Sequence, residues 1–362
     1  MLNGELIRRG VPDVLMLDHG KKVVCREDWA KRRQEIIQLL CSEEYGFPPS
    51  QPIDWSYELL SEEKNFCAGN VTLTKILLKL KLKNNEFSFP FYSAIPNDMD
   101  KKVPAFVHIC FRDSIPDKYM PTEEICDNGF AVFSFCYHDI VPDRKDGLSE
   151  GLGAVMYPEG KRNPDDCGTI MLWAWAASRV MDYVQTLESI DLSNIAVVGH
   201  SRLGKTALLA GGLDERFAYI ISNDSGCSGA AITREKTGEH IVHITKSFPH
   251  WFCQNYVRYV GNEDHLPFDQ HFLLALSAPR KVYVASATLD TWADPDSEYL
   301  SCVAASPVYE LLGFKGFIHG DQYPKGWDTY HEGNIAYHLR TGTHYFGRYD
   351  WNRYMEYIKK QM

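Results

Sequence analysis

The stretch Ile195-Ala196-Val197-Val198-Gly199-His200-Ser201-Arg202-Leu203-Gly204-Lys205 runs four small or β-branched apolar residues into a tight turn carrying one serine. The residues that follow, Lys205 to Gly211, read as a helix. A strand that stops abruptly and reverses into a helix lifts a serine hydroxyl above the sheet edge, where a histidine can deprotonate it for attack on a carbonyl. Flanking glycines permit the crowded backbone of such a turn. In the common G-x-S-x-G form the second glycine falls where this chain has Leu203; here it comes one residue later, at Gly204. The competing interpretation is an ordinary strand-to-helix turn in which Ser201 caps the helix.

Working outward, Glu27 to Cys41 has helical spacing and leads into the turn Tyr45-Gly46-Phe47-Pro48-Pro49. Val71 to Leu82 alternates as a half-exposed strand, with Glu86 to Ile95 as its hairpin partner. Ala105 to Ile109 and Phe130 to Phe135 are continuous apolar runs, the pattern of strands covered on both faces. Gly168 to Leu187 reads as an apolar helix, Ala218 to Ile221, Lys281 to Ala287 and Ile335 to Leu339 as strands, and Asp350 to Lys359 as a closing helix. Arg144 to Asp166, rich in Gly, Pro and charge, is expected to be a long surface loop at the rim of the site. Antiparallel strands followed by alternating β and α elements predict a mostly parallel sheet with helices on both faces. One domain over 1–362, with an N-terminal helical or extended arm of about 50 residues, is the economical reading.

With 44% apolar and 24% charged residues, the 362-residue chain has material for a large core. A formal charge of −10 argues against nucleic acid or an anionic membrane as partner. No apolar run approaches the roughly 18 residues a membrane helix needs. Met1-Leu2-Asn3-Gly4-Glu5 has no secretory pattern, so a cytoplasmic location is expected. Ten scattered cysteines without a C-x-x-C pair suit reduced, buried thiols. With neither H-E-x-x-H nor clustered Cys and His, no metal or cofactor is expected.

A nucleophilic serine requires a histidine base and an orienting carboxylate. In the α/β-hydrolase arrangement they follow later strands, in the order Ser, acid, His. After Lys281 to Ala287 the chain reads Thr288-Leu289-Asp290-Thr291-Trp292-Ala293-Asp294-Pro295, and after the last strand Thr341-Gly342-Thr343-His344. Asp290 lies closer to its strand than Asp294 or Asp296. His344 stands just past a turn glycine, whereas His338 falls within a strand and is expected in the core.

Gly199-His200-Ser201-Arg202-Leu203-Gly204-Lys205 resembles the G-[CH]-S-R-x-G-K elbow of the glucuronoyl esterases, carbohydrate esterase family 15, in the His form of the bacterial branch. The resemblance extends through Asn223 to Ala231, Ser247 to Phe252, Ala278-Pro279-Arg280, Trp292 to Pro295, His338 to His344 and Asp350-Trp351. It implies an α/β-hydrolase fold, Ser201 as nucleophile, His344 as base, and Arg202 beside backbone N–H groups as oxyanion stabiliser. It further implies that Lys205, with Glu239 and Trp292, contacts a uronate ring. Relatives place the acid either shortly after the elbow, here Asp224, or after the later strand, here Asp290. Asp290 is favoured, with Asp224 as a second contact, because Asp is one methylene shorter than the Glu many relatives carry there.

The implied activity is hydrolysis of glucuronate (4-O-methyl-glucuronoyl) esters, on a small molecule or an oligosaccharide. The alternatives are an acetyl-carbohydrate esterase and a catalytically weak sugar-binding relative.

Overall fold

The computed structural model describes residues 1–362. Ten strands form one sheet: β1 (Asp54–Phe66), β2 (Val71–Lys81), β3 (Glu86–Pro96), β4 (Val103–Cys110), β5 (Ala131–Cys136), β6 (Ile190–His200), β7 (Tyr219–Asn223), β8 (Lys281–Ala287), β9 (Thr329–Tyr330) and β10 (Ile335–Arg340). The helices are α1 (Leu2–Arg8), α2 (Arg26–Leu40), α3 (Thr122–Asp127), α4 (Gly151–Met156), α5 (Thr169–Val184), α6 (Arg202–Leu213), α7 (Ile241–Ser247), α8 (His271–Ala275), α9 (Pro295–Leu311) and α10 (Arg348–Gln361).

The strand order is β1-β2-β3-β5-β4-β6-β7-β8-β10-β9. From β5 to β10 every neighbouring pair is parallel; the β1-β2-β3 meander joins β5 antiparallel, and β9 closes the other edge antiparallel. Parallel strands need both faces covered, and successive side chains of these strands divide between two cores. Phe106, Val132, Val198, Ile221, Tyr283 and Ala336 meet Trp351, Tyr354 and Tyr357 of α10. Val107, Phe133, Val197, Ile220, Val284 and Ile335 face the larger core built with α2, α5, α6, α8 and α9. This is the mostly parallel sheet with helices on both faces that the alternation of elements predicts, and the α/β-hydrolase fold that the elbow's resemblance implies.

Register sets the position of the site. His200 pairs with Asn223, Asn223 with Ala285, and Ala287 with Arg340, so β6, β7, β8 and β10 finish at one edge. Side chains just past these ends converge in the crevice where α/β sheets bind ligands.

Two elements have no counterpart in the sequence reading, and one expectation needs correction. Strand β1 has no counterpart in the sequence pattern: almost every residue is exposed, so neither face supplies an alternation to read. Helix α9 is likewise unforeseen, because serines and Pro307 interrupt a segment that is nonetheless buried nearly all round. The stretch 144–166 is not simply a surface loop. It contains a 3₁₀ turn, Gly147–Ser149, and α4, with Leu152 fully buried. All ten cysteines are unpaired and eight are buried, and no helix is long and apolar enough to cross a membrane.

Candidate active site

Ser201 occupies the junction of β6 and α6 at φ 59° and ψ −126°, a region L residues rarely adopt. Its N–H donates to Asn223 O of the neighbouring strand at 2.8 Å, and its own carbonyl accepts from Gly204 N at 2.9 Å. A Cβ on Gly199 would sit 2.1 Å from Leu203 O, and one on Gly204 about 3.0 Å from Ser225 Cβ. The late glycine is therefore required by the approach of α6 to the end of β7, while Leu203 is buried in the main core. Ser201 stands at the N-cap position of α6, but its hydroxyl makes no capping hydrogen bond.

The loops after β8 and β10 are zipped together. Thr288 N donates to Arg340 O at 3.0 Å and Leu289 N to Gly342 O at 2.8 Å. This prolongs the parallel ladder beyond the strands and brings Asp290 to His344, with Nδ1 and Oδ2 2.6 Å apart. Asp290 is 7% exposed while the His344 ring is largely open. That ring lies 4.5 Å, centroid to centroid, from the ring of His200, the residue immediately before Ser201. Asp294 is committed elsewhere: it caps α9, accepting from Ser297 N and Oγ, and also accepts from Thr237 N.

His200 is buried and bonds Asn223 Oδ1 through Nδ1 at 2.6 Å. Burial, reinforced by the neighbouring His344, pushes its pKa down to about 3, so it stays neutral at ordinary pH. His200 thus places no positive charge beside His344 at ordinary pH.

Arg202, the first residue of α6, reaches back to the buried Asp143. Its guanidinium lies over Trp251 at 4.9 Å, Phe248 at 5.2 Å and Phe111 at 5.9 Å. Asp143 also accepts from His250 Nε2 at 2.8 Å and Trp251 Nε1 at 2.7 Å. Burial alone would raise this carboxyl, but the bonds from His250, Trp251 and Arg202 outweigh it and hold it well below the usual range. An ion pair fixed between aromatic faces gives Arg202 one orientation at the mouth of the elbow.

Lys205, one turn into α6, is buried with its ammonium on Ser225 O. Burial lowers its pKa, and Glu239 is the foremost charge opposing that shift. The Glu239 main chain is tied to the β8 loop by its N–H to Trp292 O at 2.9 Å. Trp292 is 54% exposed, with its ring 5.3 Å from His243. Glu239 and Trp292 thus form a polar and aromatic rim joined to the loop that carries Asp290, with Lys205 buried behind it.

Asp224, at the end of β7, is fully buried. Its Oδ2 pairs with Arg340 at 3.1 Å and its Oδ1 has no partner. Asp224, Asp290 and His344 each bring a side-chain donor atom within 4.8 Å of the others. The carboxylate hydrogen-bonded to His344 is nevertheless Asp290, and Asp224 is turned to the arginine. Burial, with Glu298 nearby, raises the Asp224 pKa well above normal.

The family model described as glucuronyl esterase, fungi, matches residues 78–313. A carbohydrate esterase of an unknown prokaryotic organism is 34% identical, over 97% of this chain and 89% of that protein. The chain belongs to the glucuronoyl esterase family. A 4-O-methyl-glucuronoyl methylesterase of Wolfiporia cocos is 30% identical over 85% of this chain and 74% of its own length. Among solved structures, a glucuronoyl esterase from Solibacter usitatus superposes with a TM-score of 0.89 at 34% identity, covering 97% of both chains. A promiscuous carbohydrate esterase family 15 enzyme from a marine bacterial metagenome gives 0.87, also at 34% identity and 97% of both chains.

Within this glucuronoyl esterase family member, the fold gathers Ser201, Arg202, His344, Asp290 and Asp224 at one sheet edge, with Glu239 and Trp292 on the adjoining rim and Lys205 buried beside it. Sequence reasoning did not identify Asp143, His250 or the role of Trp251. The available signal was position: Asp143 lies shortly after the carboxyl end of β5, where open α/β sheets concentrate functional groups. His338 is in the core as expected, bonded to Tyr283 and Asp350.

Proposed function

We propose that this protein is a serine esterase that hydrolyses esters of the C6 carboxyl group of glucuronate. The observation that carries the reading is the 2.6 Å contact between His344 and Asp290 beside an elbow whose serine hydroxyl is unengaged. An ionised carboxylate only accepts hydrogen bonds, so Nδ1 of His344 carries the proton and Nε2 is free to act as base.

In this mechanism Ser201 attacks the C6 carbonyl as His344 takes its proton. Arg202 and the backbone N–H groups at the start of α6 face the oxyanion, where a fixed donor is worth a few kcal/mol. His344 then protonates the departing alcohol, and water repeats the sequence on the glucuronoyl-enzyme.

Lys205 and Glu239 favour a sugar on the acyl side. Contacts to that ring hold the reacting carbonyl itself, whereas in an acetyl ester they would position only the leaving group. The relative from the marine metagenome is described as promiscuous, which keeps acetyl-carbohydrate esters as the second reading. Turnover of methyl and benzyl glucuronate against acetylated xylose separates the two. A clear preference for acetylated xylose would displace the uronate assignment, and unchanged turnover by Ser201→Ala would remove the serine mechanism.

A further inference from the structure

Beyond Gly342, where the pairing with the β8 loop ends, the segment bearing His344 has no main-chain support of its own. Residues 341–345 are mostly exposed, and the main chain of Thr343, His344 and Tyr345 makes no hydrogen bond to any other main chain. Gly342, earlier in the loop, is held by Leu289 N and Thr288 Oγ1, but the hydrogen bonds to the main chain of 343–345 both come from one side chain. Nη2 of Arg340 donates to Thr343 O at 2.8 Å and to Tyr345 O, the carbonyls on either side of His344. Gly342, at φ +148°, passes so close beneath the guanidinium that a Cβ there would meet Arg340 Nη1 at 2.6 Å.

Arg340 is itself immobilised. It is the last residue of β10, is 7% exposed, and pairs through Nε with Asp350 at 3.2 Å and through Nη2 with Asp224 at 3.1 Å. Asp350 is held in turn by His338 and by Gly347 N. A planar guanidinium can bridge several oxygens in a fixed fork; an ammonium on a flexible stem cannot.

We infer that Arg340 is the positioning residue of the catalytic base: it grips the peptide carbonyls flanking His344 and thereby fixes the imidazole between Asp290 and Ser201. In this arrangement Asp224 is a buried hydrogen-bond partner of Arg340 rather than a second acid on the histidine. This account rests on the assignment of His344 as base. It goes further by naming what holds that base in place, which the Asp290 contact alone does not do. One hydrogen bond to the ring tip orients the ring but leaves the loop free to shift. Displacement of a catalytic group by about 1 Å costs about a hundredfold in rate.

The test combines steady-state kinetics on methyl glucuronate with labelling of Ser201 by a fluorophosphonate, which reads the Ser–His couple whatever the natural ester. Arg340→Gln is expected to lower kcat by about thirtyfold or more with KM changed less than about threefold, and to slow labelling in parallel. Arg340→Lys should fall between this variant and wild type. Folding of each is checked by far-ultraviolet circular dichroism. A folded Arg340→Gln protein that turns over and labels at the wild-type rate overturns the inference. If Arg340→Gln does not fold, Arg340→Lys decides: wild-type kcat there overturns it, and a selective loss of kcat supports it. Ser201→Ala serves as the separate control, since labelling that persists in that variant refutes the serine assignment itself.

Discussion

His344 and Asp290 are joined Nδ1 to Oδ2 at 2.6 Å, although they lie 54 residues apart in sequence. They meet because β8 and β10 are parallel neighbours whose ladder continues past both strand ends. The pair is thus a consequence of sheet register. A one-residue slip of β10 would carry the following loop, and His344 with it, out of register with Asp290.

Asp290→Asn replaces an obligate acceptor by an amide that can also donate, and so permits the wrong histidine tautomer. It is expected to lower kcat by about a hundredfold or more at neutral pH. Asp224→Asn should cost much less, because it weakens only one anchor of Arg340. Parallel kcat measurements on one glucuronate ester check the ranking, and equal losses would mean that both acids serve the histidine.

Removing the Arg202 charge with Arg202→Gln should reduce kcat by about a hundredfold, the usual scale for an oxyanion donor. Asp143→Asn leaves the charge but frees its direction, so a smaller loss is expected, mainly in kcat. A KM effect with kcat intact would place Arg202 in ground-state binding instead.

Lys205→Met should weaken kcat/KM for glucuronates far more than for p-nitrophenyl acetate, which has no ring to hold. The same change orphans Ser225 O and is expected to cost about 1–3 kcal/mol of stability, read by denaturant unfolding. Equal losses on both esters would show Lys205 to be structural only.

The buried His200 makes stability depend on pH. Its pKa falls from its unfolded value to about 3 in the fold, chiefly through burial. The unfolded chain therefore takes up a proton first, so stability is full above about pH 6.5 and is lost as pH falls toward 3. His200→Cys, the other residue of the elbow pattern, should flatten this slope of unfolding free energy with pH. An unaltered slope would locate the effect in the other buried histidines whose pKa burial lowers, His108, His271, His331 and His338.

The elbow, the parallel strands and the helices α2, α5 and α10 were legible because their burial imposes a period or a continuous apolar run. Strand β1 was not, since an exposed strand leaves polarity unpatterned. The Ser–acid–His order was readable once the strands were placed, because the acid and base follow strand ends. Asp143 and Arg340 escaped for another reason. Each acts through a partner fixed by three-dimensional packing, Arg202 for one and the carbonyls around His344 for the other, and no local spacing announces such a contact. The sequence favours Asp290 as the acid with Asp224 as a second contact, and only the position of Arg340 shows where the Asp224 carboxylate is directed.

The central claim is a glucuronoyl ester on Ser201, and intact-protein and peptide mass spectrometry after rapid quenching with methyl glucuronate tests it most directly. The account predicts a transient glucuronoyl adduct on the peptide containing Ser201, absent in Ser201→Ala and longer-lived in His344→Ala once formed. An adduct on another residue, or full turnover by Ser201→Ala, would contradict it.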